Sequence, residues 1–285
     1  MNRPGTVLIT GASTGIGRAI ALHLDRLGWK VFAGVRKTPD GEELQKEASD
    51  RLHPLHLDVT DASAVESAIG EIESTVGELD ALVNNAGITV NGPMEFITSD
   101  ELRRQFEVNF FAVVAMTQAA LPLLRKSRGR IVHMGSIGGR QAAPLLGPYA
   151  ATKHAIEAIG EAQRRELSPW GIEVIVVEPG AIATPIWDKG QAAASRTREK
   201  ASPRELELYG AAFDALSAAA QQMEDGAIGP EAVAKVVEDA LTRDRPRPRY
   251  LVGKDAKIQA WMTRLLPDRW RDALVLRVMK YPRSA

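Results

Sequence analysis

Cysteine is absent from the chain. Disulfides and zinc–thiolate sites are therefore excluded, no metal site is expected, and a reducing compartment is suited. There is no excess of either charge: Lys+Arg and Asp+Glu both number 36. A nucleic-acid partner would need a basic surplus or stripe, and the one basic run, Arg245 to Arg249, is too short to supply it. No signal-peptide pattern precedes the first apolar run. No uninterrupted apolar window long enough to span a bilayer is evident either, so a cytoplasmic location is expected.

What is present is a rhythm. Short apolar runs at 6–10, 30–35, 52–57, 81–84, 130–134, 172–177 and 250–252 read as strands. Amphipathic stretches at 15–28, 41–49, 61–76, 99–126, 149–168 and 230–242 read as helices between them. Asp61 and Ser99 or Asp100 are candidate helix caps. Continuously apolar strands suit a sheet buried on both faces, which means parallel strands with helices above and below. The expectation is one α/β domain over residues 1–285: a Rossmann-like, doubly wound, parallel seven-stranded sheet. Two regions break the rhythm. Residues 184–229 read as a helical substrate lid, and residues 254–285 as a C-terminal helical extension.

Between the first strand and first helix lies Thr10-Gly11-Ala12-Ser13-Thr14-Gly15-Ile16-Gly17. Gly11 permits the tight turn, Gly15 lets backbone approach a pyrophosphate, and Gly17 lets the helix pack closely. The helix start then offers N–H groups and a positive dipole end to phosphates. The strand that would carry an acid for the ribose hydroxyls of NAD ends instead in Arg36 and Lys37. A carboxylate would repel a 2′-phosphate and a guanidinium would clamp it, so NADP(H) is preferred and NAD(H) remains open. The plain alternative is that both cations are a solvated strand end.

Tyr149 and Lys153 are four residues apart on an expected helix, hence on one face. A free tyrosine titrates near pH ~10. A neighbouring ammonium and a positive nicotinamide ring would lower that value and fit the hydroxyl for acid/base work. Ser136 ends the fifth strand, where ligands bind in open α/β sheets. Tyr250 and Lys254 repeat the spacing across a strand end without such a serine, and read as chance. Asn109 falls mid-helix, where a polar face residue is an equally good account.

Taken together, TGASTGIG at 10–17, NNAG at 84–87, Asn109, Ser136, YAATK at 149–153 and PGAIAT at 179–184 resemble the short-chain dehydrogenase/reductase family. The resemblance covers residues 6–253 and implies roles. Tyr149 would be the proton donor and acceptor, and Lys153 would bind the nicotinamide ribose. Ser136 would polarise the carbonyl, and Asn109 would anchor a relay water. Ser13, Ile16, Asp58, Val59, Asn85, Ala86 and Gly87 would line the cofactor cleft, with Asp58 on the adenine. Pro179, Gly180, Ile182 and Thr184 would embrace the nicotinamide, and Thr14 and Arg36 the 2′-phosphate. Residues 249–272 look like the tail of the branch holding retinol and 17β-hydroxysteroid dehydrogenases, without its membrane anchor. Family members also pair as homodimers through the helices expected at 99–126 and 149–168.

The lid offers Ile186, Trp187, Tyr209 and Phe213, and Ala142, Leu145 and Leu146 would form the opposite wall. An apolar lid suits a bulky lipophilic alcohol or ketone, steroid- or retinoid-like in size. It also suits helices that merely pack on one another. The remaining alternatives are smaller keto substrates such as an acyl thioester, sugar or aldehyde, and a non-catalytic cofactor-binding regulator. The tail mixes tryptophan, leucine and arginine; packing on the domain is the preferred reading and membrane contact the lesser one.

Overall fold

The computed structural model describes residues 4–184, 198–199 and 201–282. Ile186 and Trp187 of the expected lid lie outside the described residues. Seven strands form one sheet: β1 (Thr6–Ile9), β2 (Lys30–Val35), β3 (Leu52–His56), β4 (Ala81–Asn84), β5 (Arg130–Met134), β6 (Glu173–Pro179) and β7 (Arg249–Val252). Every pairing is parallel, in the order β3-β2-β1-β4-β5-β6-β7. The chain winds outward from β1 to β3, then returns to β4 on the other side of β1. The carboxyl ends of β1 and β4 therefore diverge into a crevice, the ligand position of open α/β sheets.

Burial follows the side-chain period of two. Val7, Ile9, Val31, Ala33 and Val132 face one core, together with Ile20 and Leu24 of α1 (Gly15–Arg26) and Val237 and Leu241 of α8 (Glu231–Thr242). Leu8, Phe32 and Ile131 face the other, with Ile72 of α3 (Ala62–Val76) and Met116 and Leu123 of α5 (Ala112–Ser127). Both faces being apolar explains why the strands are continuous apolar runs rather than alternating ones.

Local chemistry sets the ends. Asp61 caps α3 as expected, accepting from the amides of Ser63 at 2.9 Å and Ala64 at 3.4 Å. The helix α4 (Ser99–Phe106) is capped by Thr98, not by Ser99 or Asp100, because Thr98 and Glu101 satisfy each other's amides in a capping box. The helix expected at 41–49 is α2 (Thr38–Gln45); Pro39 presets its first turn and starts it three residues earlier. The long helix expected at 99–126 is broken by a π turn at Glu107–Phe111, centred on Asn109. Contrary to the sequence expectation, the run Ser99–Ser127 is long and apolar enough to cross a membrane. Here Val113, Met116, Ala120, Leu123 and Leu124 are buried within the protein.

The helix α6 (Gly147–Leu167) is registered on the sheet by a buried polar chain. Gln163 of α6 reaches His133 of β5 at 2.8 Å, and His133 meets Asn84 of β4 at 3.2 Å. Burial holds the His133 imidazole down at about 4, so it is neutral at physiological pH. The region expected as a lid holds α7 (Pro203–Asp225), and the tail holds α9 (Lys254–Leu265) and α10 (Asp268–Val278).

Candidate active site

The glycine loop closes the crevice from below. Gly11 and Gly15 take φ of +67° and +57°, the left-handed region where glycine carries no penalty. A Cβ on Gly11 would lie 2.9 Å from Ala86 Cα, and one on Gly17 would lie 2.3 Å from Gly11 O. Gly17 thus lets α1 approach the loop itself, rather than the strand. Thr10, unremarked in sequence, holds the two loops together: its Oγ1 accepts from the amides of Asn85 and Ala86, each at 3.0 Å. The Asn85 amide group donates to Thr10 O at 3.0 Å and Gly11 O at 3.1 Å, so Asn85 braces the cleft. A hydroxyl just before the first glycine was the signal for Thr10.

Around this floor stand the other residues of the expected cofactor set. Thr14 precedes α1 in extended conformation, with Ser13 and Ile16 half-buried beside it. Arg36 and Lys37 are exposed at the end of β2, and Lys37 occupies the N-cap of α2. Asp58 accepts from Thr60 N at 3.0 Å and Thr60 Oγ1 at 2.7 Å. Those bonds, and more weakly the Arg36 charge, hold its carboxyl below the usual range. The Val59 side chain packs against the core. Gly87 lies against Asn109, whose Oδ1 would be 3.4 Å from an added Cβ. A narrow turn that rejects side chains, followed by a helix start and an arginine, fits a dinucleotide diphosphate.

Ser136, Tyr149 and Lys153 converge at the carboxyl end of β5. Ser136 opens a short 3₁₀ turn, Ile137–Gly139, and its Oγ accepts from Gly138 N at 3.0 Å. Lys153 is buried and donates from Nζ to Met134 O at 2.7 Å. Burial brings its ammonium down to about 8, with Glu157 acting in the opposite direction. Its Nζ is 5.6 Å from the centroid of the Tyr149 ring. Burial pushes the Tyr149 phenol up, and the hydrogen bond with Ser136 pulls the other way. This corrects the expected depression. In the protein alone desolvation exceeds the effect of Ser136, and the Lys153 ammonium is bonded to a carbonyl instead of to the phenol.

Asn109 is fully enclosed. Its side chain accepts from Ile88 N at 2.9 Å and donates to Ile88 O at 3.0 Å and Thr152 Oγ1 at 3.3 Å. Thr152 donates in turn to Tyr149 O at 2.7 Å. Asn109 therefore links the 85–92 loop to the first turns of α6. By contrast, Tyr250 packs in the core with its hydroxyl on Arg247 N at 3.1 Å, while Lys254 faces solvent, so that second pair forms no site.

Pro179 is paired with Val252, and Gly180 N bonds Val252 O at 2.9 Å. Asp255, in the first turn of α9, accepts from Ala181 N at 2.7 Å. Its carboxylate fills the space where a Gly180 side chain would stand, so a larger residue there would displace Asp255. Ile182 bridges to Ile228, and Thr184 Oγ1 is 3.4 Å from Ile182 O. Glu178, wholly buried before Pro179, accepts from Arg140 Nε at 2.5 Å and Nη2 at 2.7 Å. Arg249 lies 3.8 Å from Glu178 and bonds Glu157 at 2.8 Å. This ion-pair chain joins the serine turn, the 179–184 loop and α6. An acid directly after the apolar run Val174–Val177 was its sequence signal.

The expected substrate walls meet in part. Leu145, Phe213, Ala212 and Leu216 form a cluster, with Leu146, Tyr209, Met279 and Tyr281 packed on it. Tyr209 also bonds Glu95 at 2.9 Å. Leu145 holds φ of +65°, an uncommon setting for a branched residue four positions before Tyr149. Ala142 is exposed and outside that cluster, because the 3₁₀ turn carries the chain toward solvent before Leu145.

Comparison with known proteins gives a consistent outcome. The family model described as short chain dehydrogenase matches residues 5–194. An NADPH-dependent 3-dehydrocapnine reductase of Ornithobacterium rhinotracheale is 37% identical, covering 96% of each chain. Retinol dehydrogenase 5 of Mus musculus is 36% identical over 97% of this chain and 89% of its own. A short-chain dehydrogenase structure from Streptomyces avermitilis superposes with a TM-score of 0.77 at 28% identity, over 99% of this chain and 97% of that one.

Proposed function

This chain belongs to the short-chain dehydrogenase family and is an oxidoreductase of it; from that premise we propose that it interconverts a lipophilic secondary alcohol and its ketone with NADP(H). The observation that carries the reading is the convergence of Ser136 Oγ and the Tyr149 ring on Gly138, each 3.4 Å from where its Cβ would stand, with Tyr149 four residues along the chain from Leu145 of the apolar Leu145–Phe213 cluster. The bound nicotinamide would supply or accept the hydride. In reduction, Ser136 holds the carbonyl oxygen and the Tyr149 hydroxyl gives it a proton as the hydride reaches carbon. Lys153 then faces a phenolate, which its positive charge stabilises. Asn109 keeps α6 at a fixed distance from the 85–92 loop, so the hydroxyls stay aimed into the crevice. A screen of NADPH consumption over steroids, retinal, aromatic aldehydes and keto esters tests the assignment. Turnover confined to acyl thioesters or sugars would overturn it.

Arg36 would select the cofactor. It is exposed beside the crevice, and a similar relative is named as NADPH-dependent. Arg36→Leu is expected to raise KM for NADPH by roughly 10- to 100-fold, the loss of a charge-assisted hydrogen bond worth about 1.5–3 kcal/mol. KM for NADH should hardly move. Equal changes with both cofactors make Arg36 an ordinary surface cation.

A homodimer in which the helices at 99–126 and 149–168 pair with their copies is expected, at twice the 30.9 kDa chain mass in light scattering. On the first of these, Phe111 is 54% exposed. Obligate interfaces commonly bury ~2,000 Å² or more, so the dimer should persist on dilution. A monomer mass rejects it. A tetramer mass rejects the narrower idea that α9 and α10 obstruct pairing through β7.

A further inference from the structure

The helix α9 is oriented against its own apolar pattern. Its small residues Ala256 and Ala260 pack inward with Ile137 and Leu251. At ~100° per residue, Ile258, Trp261 and Leu265 fall in one narrow arc on the far side. They are 58%, 64% and 53% exposed. Beyond Pro267, α10 has no buried residue, and its Trp270 is 70% exposed. Among the described residues of the segment, the exposed cations are Lys254, Lys257, Arg264, Arg269, Arg277 and Lys280. Of its acids, Asp255 is turned inward onto Ala181 N and Asp268 is paired with Arg271, leaving Asp272. In a chain with 36 charges of each sign, this is a local positive excess.

Two kinds of occupant could cover such a face. A second copy, docked isologously, would set the same cations against one another. A bilayer surface offers apolar depth for Trp261, Leu265 and Ile258 and negative headgroups for the basic rim. We propose that the exposed face of α9, continued by Trp270, docks on a lipid surface carrying anionic headgroups and lies in its interfacial plane. The chain after α10 packs Met279 and Tyr281 onto the Leu145–Phe213 cluster, so the segment is tied to α7 at its far end. The proposal concerns the surface alone and does not depend on which alcohol or ketone is turned over.

The test uses the full chain and sucrose-loaded vesicles of phosphatidylcholine, with and without phosphatidylglycerol. Co-sedimentation should be at least ~10-fold stronger with the anionic vesicles and should fall with added salt. Tryptophan emission should shift to the blue on binding. Trp261→Ser combined with Leu265→Ser should weaken sedimentation by ~10-fold or more, the loss of about 1.4 kcal/mol or more of apolar burial. The thermal transition and NADPH consumption with a water-soluble ketone should stay as in the parent. Absent sedimentation, or sedimentation that ignores headgroup charge and salt, overturns the proposal. A change in oligomeric mass in the double variant, with no lipid binding by the parent, assigns the face to a second copy instead.

Discussion

Tyr149→Phe should reduce kcat by ~10²- to 10⁴-fold, the usual effect of losing a general acid. The change keeps the ring, its contact with the Gly138 backbone region and the nearby Lys153 ammonium, and removes only the hydroxyl. Binding of NADPH, followed by fluorescence titration, should stay within a few-fold. The phenol's own titration gives a second readout. Burial raises it above the ordinary tyrosine value, so the hydroxyl is protonated at neutral pH and ready to donate. Reduction should therefore be level near neutrality and decline on the alkaline side as the donor is lost. Near-normal kcat in the variant would reassign the proton donor.

Arg140→Ala should be among the most destabilising single changes. Glu178 has no exposure, and removing the guanidinium that grips both its oxygens leaves a buried carboxylate with Arg249 at 3.8 Å. Breaking a buried pair from one side costs about 3 kcal/mol or more. In a chain of this size that lowers Tm by roughly 5–10 °C. Arg140 is itself partly exposed, so the figure rests on Glu178 and not on the arginine. The double variant Arg140→Ala with Glu178→Gln should regain part of the loss, because no charge is then stranded. Calorimetry giving a single variant as stable as the parent would show that water or Arg249 already compensates the acid. The pair also ties the serine turn to the 179–184 loop, since Arg140 follows the one and Glu178 precedes the other.

All seven strands, their parallel packing and the separation of helices onto two faces were legible, because burial on both sides writes itself as unbroken apolar runs. The convergence of Ser136, Tyr149 and Lys153 was legible because a helix fixes the four-residue offset and strand ends face the crevice. The brace from Asp255 to Ala181 was not. It joins groups 74 positions apart, and no local period encodes that. The direction of the Tyr149 shift was also hidden, since it depends on how deeply the phenol is desolvated. The break in the long helix at Asn109 left only a weak sign: an asparagine among apolar neighbours.

That break can be understood as a matter of phase. A π turn takes up an extra residue, so the segment before it is rotated by ~100° relative to a regular helix. The segment after it, α5, answers to the sheet, and buries Met116, Ala120 and Leu123 there. The segment before it, α4, answers to the loop at 88–90: buried Gln105 accepts from Val90 N at 2.6 Å and donates to Ile88 O at 2.9 Å. Asn109, inside the turn, holds Ile88 from the other side. One uninterrupted helix has a single angular origin and could satisfy the sheet or the loop. The widened turn gives the two segments separate origins, like a vernier between a rigid scale and an adjustable one. The spacing from the apolar core to the crevice wall is thereby set at one residue's resolution.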